Sequence, residues 1–482
     1  MAAGFVGRKA ELALLAKRLD RVRVEGAGLA VAIRGRRQVG KSRLVQEFCD
    51  RAQVPYVFYT ATKGASSVEG VSAFLAELRG SGLPADSDLV PASAQGWPDA
   101  FRALAAALPD APSIVVLDEL PWLAEQDPVF DGALQTAWDR LLSRKPVLLL
   151  LLGSDIHMME RLTAYDRPFF GRADTLVLGP LNPAEIADAV GLSGADAIDA
   201  ALITGGLPGI VRAWPTGMAP LDFLESECAD PASVLVSIPE AVLLAEFPAP
   251  DQARRVLEAI GGGNRTFGNI AATAGSAGAP LASGLLSPLL RRLVNEKRVL
   301  AVDEPLSTKA GRPALYRVAD SNLRLYLAML REAQEQARRG RPQAAVALVR
   351  RRWSSWRGRA VEPLIRQALE LAALAGELPW PDARVVGGWW NRQFNPEVDL
   401  VGADRGPVAG AVYFAGSIKW LASPVDGRDV ADLALAASQV PGFDGARCGL
   451  MVVSHSGLAP TVDSSLVDVH WGPEEVLGAW RA

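Results

Sequence analysis

The stretch that most constrains this chain is GRRQVGKS, Gly35-Arg36-Arg37-Gln38-Val39-Gly40-Lys41-Ser42, set between the apolar run GLAVAIRG and the helix-forming KSRLVQEF. Glycines at its first and sixth positions let the backbone turn tightly and approach a ligand with no side chain in the way. Successive N–H groups and the first turn of the following helix then face one point, which suits an anion. In such a loop Lys41 reaches the β- and γ-phosphates of a nucleotide and the Ser42 hydroxyl holds Mg²⁺. The loop works only between a buried strand and a helix, so it predicts an α/β fold built on a parallel sheet.

The neighbouring text agrees. VPYVFYT, PSIVVLDE, PVLLLLLGS and DTLVLGPL read as further strands buried on both faces, with helical stretches between them. PSIVVLDE ends in Asp118 and Glu119, two carboxylates at the carboxyl edge of a buried strand. There Asp118 orders the Mg²⁺ shell and Glu119 polarises the attacking water; a plain helix cap is the alternative. Ser154, closing the next strand, reads either as a sensor of the γ-phosphate or as a helix N-cap.

At 482 residues the chain is too long for one core, and the length predicts about three domains. A formal net charge of −4 confines any nucleic-acid contact to a local region. The three cysteines, Cys49, Cys228 and Cys448, form no CxxC pair, which argues against a disulfide framework or a zinc site. The N-terminal stretch has no signal-peptide core, and the longest apolar run, residues 146–153, is far shorter than the roughly 20 residues of a membrane span. A soluble, cytoplasmic protein with no membrane partner is the expectation. His157, His455 and His470 lie in separate segments without catalytic or metal-ligand spacing.

The pattern divides as follows: 1–182, a nucleotide-binding core; 183–250, an alanine-rich helical lid; 251–322, three helices and a two-stranded wing around Gly311 and Pro313, the order of a winged helix; 323–354, a basic helical connector; 355–482, a second, smaller α/β domain. The first boundary falls near FPAPDQ. Residues 324–359 carry ten arginines against two glutamates, which reads either as solvated helix faces or as a phosphate-contacting stripe with Trp353 and Trp356 interleaved.

In order along the chain, FVGRKAEL, the phosphate loop, LDE, GS, Gly171-Arg172, GPL and GGLP make it resemble the archaeal-type P-loop ATPases of the STAND class, relatives of the AAA+ fold. That resemblance implies ATP and Mg²⁺ as ligands and a nucleotide-dependent oligomer. It also implies that Phe5 to Arg8 border the adenine, that Arg172 senses γ-phosphate charge, with a surface salt bridge as the alternative, and that Pro208 packs on the base. Many members add a C-terminal domain similar to the PD-(D/E)xK, restriction-endonuclease-like fold. The matching positions here are Glu362, Asp399 and Lys419, but Ser417 stands where that site needs a carboxylate. Serine is a neutral ligand, and losing the carboxylate removes charge as well as geometry, so the expectation is a degenerate nuclease-like domain that binds or docks rather than cuts.

Three functions fit these motifs. One is an ATPase switch that moves the winged helix and C-terminal domain, on DNA or on an unidentified protein partner. Another is a DNA-binding regulator with structural nucleotide, using Arg291 and Arg292 on its recognition helix. The third, an ATP-gated nuclease, is opposed by Ser417.

Overall fold

The computed structural model describes residues 4–83, 90–162, 165, 169–247, 252–276, 278–311 and 313–481. Most of FPAPDQ, expected as a boundary, lies outside them. The chain forms two compact units, Met1–Pro180 and Leu181–Ala482.

In the first unit, strands β1 (Leu29–Arg34), β2 (Tyr56–Thr60), β3 (Ser113–Asp118), β4 (Val147–Gly153) and β5 (Ala173–Val177) form one parallel sheet in the order β2-β3-β4-β1-β5. Alternation along each strand sends two sets of side chains to opposite faces. Val31, Ile33, Ile114, Val116, Leu148 and Leu150 meet helices α1 (Lys9–Glu25) and α2 (Lys41–Ala52). Ala32, Tyr59, Val115, Leu117, Leu149 and Leu151 meet the helices Ser67–Gly80, Trp97–Ala107 and Phe130–Arg140 on the other face. β3 and β4 are buried along their whole length, as the apolar runs predict. β2 and β5 are not, because each sits at a sheet edge: β2 alternates in burial and β5 has no fully buried residue.

The second unit opens with the helices Pro183–Val190, Gly194–Thr204, Pro208–Ala213, Pro220–Ala229 and Val234–Glu246. Gln252–Gly261, Phe267–Ala274 and Ser283–Arg291 follow, and then an antiparallel hairpin of β6 (Leu300–Asp303) and β7 (Leu315–Val318). After Arg331–Arg338, Pro342–Ala360 and Glu362–Ala375 comes a mixed sheet in the order β12-β11-β10-β9-β8. Its strands are β8 (Val385–Trp390), β9 (Glu397–Ala403), β10 (Val412–Lys419), β11 (Gly449–Ser454) and β12 (Val469–Trp471). β8, β9 and β10 pair antiparallel; β10, β11 and β12 pair parallel, with the helix Gly427–Ala437 between β10 and β11.

These segments share cores. Helix Pro342–Ala360 runs unbroken through the boundary expected at 354/355. Ala187, Ile198 and Leu202 from the first helices of the unit pack in one cluster with Ile365, Leu369, Phe414 and Met451. The loop of the β6–β7 hairpin is docked on the mixed sheet: Leu306 N–H donates to the Gly388 carbonyl at 2.8 Å, Thr308 N–H to Pro441 at 3.0 Å, and Trp390 Nε1 to Pro313 at 2.7 Å. Leu306 and Ser307 are buried there. Among the described residues no single helix is long and apolar enough to cross a membrane, although the bent pair Pro220–Ala229 and Val234–Glu246 together has the length and composition.

Candidate functional site

At the carboxyl edge of β1 the chain leaves the sheet at Arg34 and re-enters helix at Lys41. Gly35 is required there, because a Cβ would lie 2.3 Å from the Leu178 carbonyl oxygen. Gln38 (φ 68°) and Gly40 (φ 90°) are left-handed and wind the loop back on itself. α2 starts without a side-chain cap. Among the described residues, the N–H groups of Gln38, Gly40, Lys41 and Ser42 make no backbone hydrogen bond outside α2's own ladder, leaving the donors an anion needs. Lys41 folds over the loop, its ammonium donating to the carbonyls of Gly35 (2.8 Å) and Arg36 (3.0 Å). Burial pushes this ammonium down from 10.5 to about 8, against the opposing pull of Glu119 and Asp118.

The ends of β3 and β4 supply the rest. Asp118, 3% exposed, accepts from the Ser42 hydroxyl at 2.7 Å and from the Glu119 N–H at 2.9 Å. Burial holds its carboxyl above the usual range, with the Ser42 bond pulling it down. Glu119 is left-handed (φ 56°, ψ 44°) at the start of the helix Leu120–Gln126, a conformation that costs a non-glycine residue on the order of 1–3 kcal/mol. That turn directs its carboxylate to Ser154, whose hydroxyl lies 3.0 and 2.9 Å from Oε1 and Oε2. The shared register, with Thr60 beside Asp118 and Arg34 beside Gly153, brings all of these groups to one edge. A hydroxyl and a carboxylate in hydrogen-bond contact are hard oxygen donors that suit Mg²⁺, with phosphates and water completing its shell.

Arg172 is placed elsewhere. It precedes β5, and β5 runs parallel to β1 with Ala173 beside Ala30, so Arg172 lies at the amino edge of the sheet while the phosphate loop lies at the carboxyl edge. Its guanidinium grips Asp139 through two bonds, Nε to Oδ1 at 2.7 Å and Nη2 to Oδ2 at 2.9 Å. Within one chain it does not reach the γ-phosphate position, because a strand length separates the two edges. Pro208 is the first residue of its helix in the second unit. Phe5 is half-buried, with the Arg51 guanidinium 5.8 Å from its ring centre. Arg8 is 4% exposed and donates to the Val39 and Gly179 carbonyls; the order FVGR marks the position but not this contact.

In the mixed sheet, Asp399 Oδ2 accepts from the Ser417 hydroxyl (3.0 Å) and from the Ile418 N–H (2.8 Å). Lys419 turns away to Asp429, at 2.8 Å. Arg366 lies 3.4 Å from Glu362 and donates twice to the Asp399 backbone carbonyl, at 3.0 and 2.9 Å, over the bare α-carbon of Gly388. Burial pushes the Glu362 carboxyl up, opposed by Arg366. Asp399 and Ser417 are thus brought together, while Glu362 and Lys419 are each engaged by a partner of opposite charge. Among the described residues no cluster of three or more His, Cys, Asp or Glu can hold a metal.

The arginine-rich segment is not an open stripe. Arg331 pairs with Glu258, Arg338 with Glu240, Arg350 with Glu225, Arg352 with Glu332 and Arg357 with Asp199. Trp353 is buried and stacked on Trp356 at 5.5 Å. The side chains expected to contact phosphate are largely spent on acidic partners inside the second unit.

An uncharacterized protein of Methanocaldococcus jannaschii is 24% identical over 403 residues, 82% of this chain and 84% of that one. The solved structure of a Walker-type ATPase of Pyrococcus abyssi aligns with TM-score 0.46 and 18% identity, covering 67% of this chain and 96% of its own. The ORC2 protein of Aeropyrum pernix, in ADPNP–ADP complexes, aligns with TM-score 0.46 and 15% identity, covering 69% and 95%. Residues 4–151 match the family model of the AAA ATPase domain, so the first unit carries an AAA ATPase domain.

Proposed function

We propose that the first unit binds ATP with Mg²⁺ and hydrolyses it, and that the second unit is the element the nucleotide state acts on. The observation that carries this reading is the convergence of Lys41, Ser42, Asp118, Glu119 and Ser154 on one sheet edge, beside a loop of unused N–H donors. The N–H groups of residues 38–42 receive the phosphates, and Lys41 exchanges the carbonyls of Gly35 and Arg36 for phosphate oxygens. Ser42 and Asp118 would hold Mg²⁺, which would supply charge neutralisation at the phosphates. Glu119 orients and polarises the attacking water, and Ser154 fixes the carboxylate that does so.

The test is phosphate release by the purified chain and by Lys41→Ala and Glu119→Gln. Turnover in the wild type alone supports the reading; equal background in all three sinks it.

For the second unit we favour a switch element over a cutter. The three helices and hairpin have the order of a winged helix, but the hairpin loop is spent on the mixed sheet. DNA contact through this unit therefore centres on exposed Arg291 and Arg292 rather than on the wing or the arginine-rich segment. Arg366 and Asp429, which engage Glu362 and Lys419, support a nuclease-like fold used for docking. A gel shift across salt concentrations tests the DNA component, since phosphate contacts weaken steeply as salt rises.

A further inference from the structure

Among the described residues of the first unit only three charged side chains are buried: Lys41, Asp118 and Arg8. The first two belong to the nucleotide site. Arg8 stands 31 positions before Val39 of the phosphate loop, and burying a guanidinium is costly unless its donors are satisfied. Where those donors go therefore shows what the residue is kept for.

Gly7 (φ 63°) and Arg8 (φ 62°) are consecutive left-handed residues just ahead of α1, and the turn they make sends the Arg8 side chain inward. Nη1 pairs with Glu11 at 3.0 Å, on the first turn of α1. Nη2 donates to the Val39 carbonyl at 3.0 Å and to the Gly179 carbonyl at 2.7 Å. One guanidinium thus ties together the start of α1, the phosphate loop and the segment after β5. That segment leaves the first unit at Pro180; its Leu178 N–H donates to Arg34, the last residue of β1, at 2.7 Å, and its Leu178 carbonyl lies against Gly35, the first residue of the loop.

The bond to Val39 has a directional consequence. In a planar trans peptide the C=O and the next N–H point opposite ways. Holding the Val39 carbonyl toward Arg8 turns the Gly40 N–H to the other side, away from Arg8. Lys41 holds the carbonyls of Gly35 and Arg36 in a similar manner, but it must release them to reach a phosphate. Arg8 lies on the side of the 39–40 peptide opposite the Gly40 N–H, so a phosphate on that N–H does not compete for its bond to Val39.

We propose that Arg8 is a positioning residue for the phosphate loop, fixing the 39–40 peptide so that the loop is shaped for phosphates before nucleotide arrives. The proposal rests on the ATP-binding reading above and adds a specific expectation. Loss of Arg8 weakens nucleotide binding without slowing the chemical step, because no transition-state contact is removed.

The experiment compares wild type, Arg8→Ala, Arg8→Lys and Glu11→Gln as full-length protein, with two readouts. The first is amide hydrogen exchange without nucleotide. Residues 36–42 exchange faster in Arg8→Ala while β1 and β3 keep their protection; Glu11→Gln, which leaves both carbonyl bonds in place, matches wild type. The second is affinity for ADP, with KM and kcat for ATP. Bonds from a charged donor are lost, so the dissociation constant and KM rise by about 10- to 100-fold in Arg8→Ala, with kcat within about 2-fold. Arg8→Lys, which can satisfy one carbonyl, falls between.

Unchanged loop exchange in Arg8→Ala, or a drop in kcat at constant KM, overturns the proposal. If Arg8→Ala does not fold, Arg8→Lys decides: wild-type exchange and affinity in that variant also overturn it. Accelerated loop exchange in a chain whose wild type binds no ADP overturns the ATP reading and leaves Arg8 as a strut of the loop alone.

Discussion

The Ser154 hydroxyl lies within 3.0 Å of both carboxylate oxygens of Glu119, at the joined ends of β4 and β3. Ser154, expected either to sense the γ-phosphate or to cap a helix, donates to the carboxylate of the residue proposed to activate water. The pairing explains how Glu119 keeps one orientation although its backbone is in a strained left-handed state. Ser154→Ala removes the restraint and leaves the base: kcat for ATP falls by about 10-fold, the scale of one hydrogen bond to a charged group, with little change in KM. Glu119→Gln removes the base and costs about 10²- to 10⁴-fold, while ADP binding persists. Equal losses in the two variants would mean that Ser154 acts on the phosphate directly.

Lys41 gives the site a pH dependence of defined sign. Its ammonium sits at about 8 in the nucleotide-free fold against 10.5 ordinarily, mainly through burial. Between those values the unfolded chain binds more protons than the folded one, so this residue's contribution to stability rises with pH across that window; below about 8 its penalty is complete. Phosphate oxygens favour the charged form, so ADP binding above about pH 8 takes up a proton and weakens by about 10-fold per pH unit. Calorimetry in buffers of different ionisation enthalpy reads the uptake directly. Proton uptake that stays constant from neutral to alkaline pH would contradict it.

The phosphate loop was legible because its chemistry is local: eight consecutive residues, a strand before and a helix after. The position of Asp118 and Glu119 was legible because the apolar run of β3 must end, and they stand at its carboxyl end. Arg172 misleads for the opposite reason. Chain order says that it precedes a strand, but only the sheet order, with β5 parallel to β1, says which edge that is. The arginine-rich segment hid its role in sequence distance. Arg331, Arg338, Arg350 and Arg357 find their acids 73, 98, 125 and 158 residues away, a steady increase that reflects a helical segment running back along the helices before it. No window of residues 324–359 contains those partners.

The C-terminal sheet leads to a negative prediction. Ser417 and the Ile418 N–H occupy one oxygen of Asp399, Arg366 supplies a fixed cation beside Glu362, and Lys419 is held by Asp429. Restoring the carboxylate by Ser417→Glu therefore does not create a cutter, since Arg366 still competes for the space and charge a dication needs. Plasmid and linear DNA incubated with Mg²⁺ or Mn²⁺ stay intact with wild type and with Ser417→Glu. Metal-dependent cutting by wild type that disappears in Asp399→Ala would reverse this view.

Within the second unit, Asp199 and Arg357 join distant parts of the chain. Asp199, on the helix Gly194–Thr204 and 3% exposed, accepts from Arg357 at 2.7 Å and from Trp420 Nε1 at 3.3 Å, just past the end of β10. Most arginine pairs of the segment are exposed and individually weak; this one is desolvated, and breaking it strands a charge. Arg357→Ala therefore costs roughly 3–5 kcal/mol in chemical denaturation. Arg350→Ala, at a pair whose arginine is open to solvent, leaves the midpoint nearly unchanged. Replacing both Asp199 and Arg357 by leucine costs less than Arg357→Ala alone, because neither charge is left unpaired in the interior. A double variant as unstable as the single would mean that the node holds the helix to the sheet through geometry rather than through charge balance.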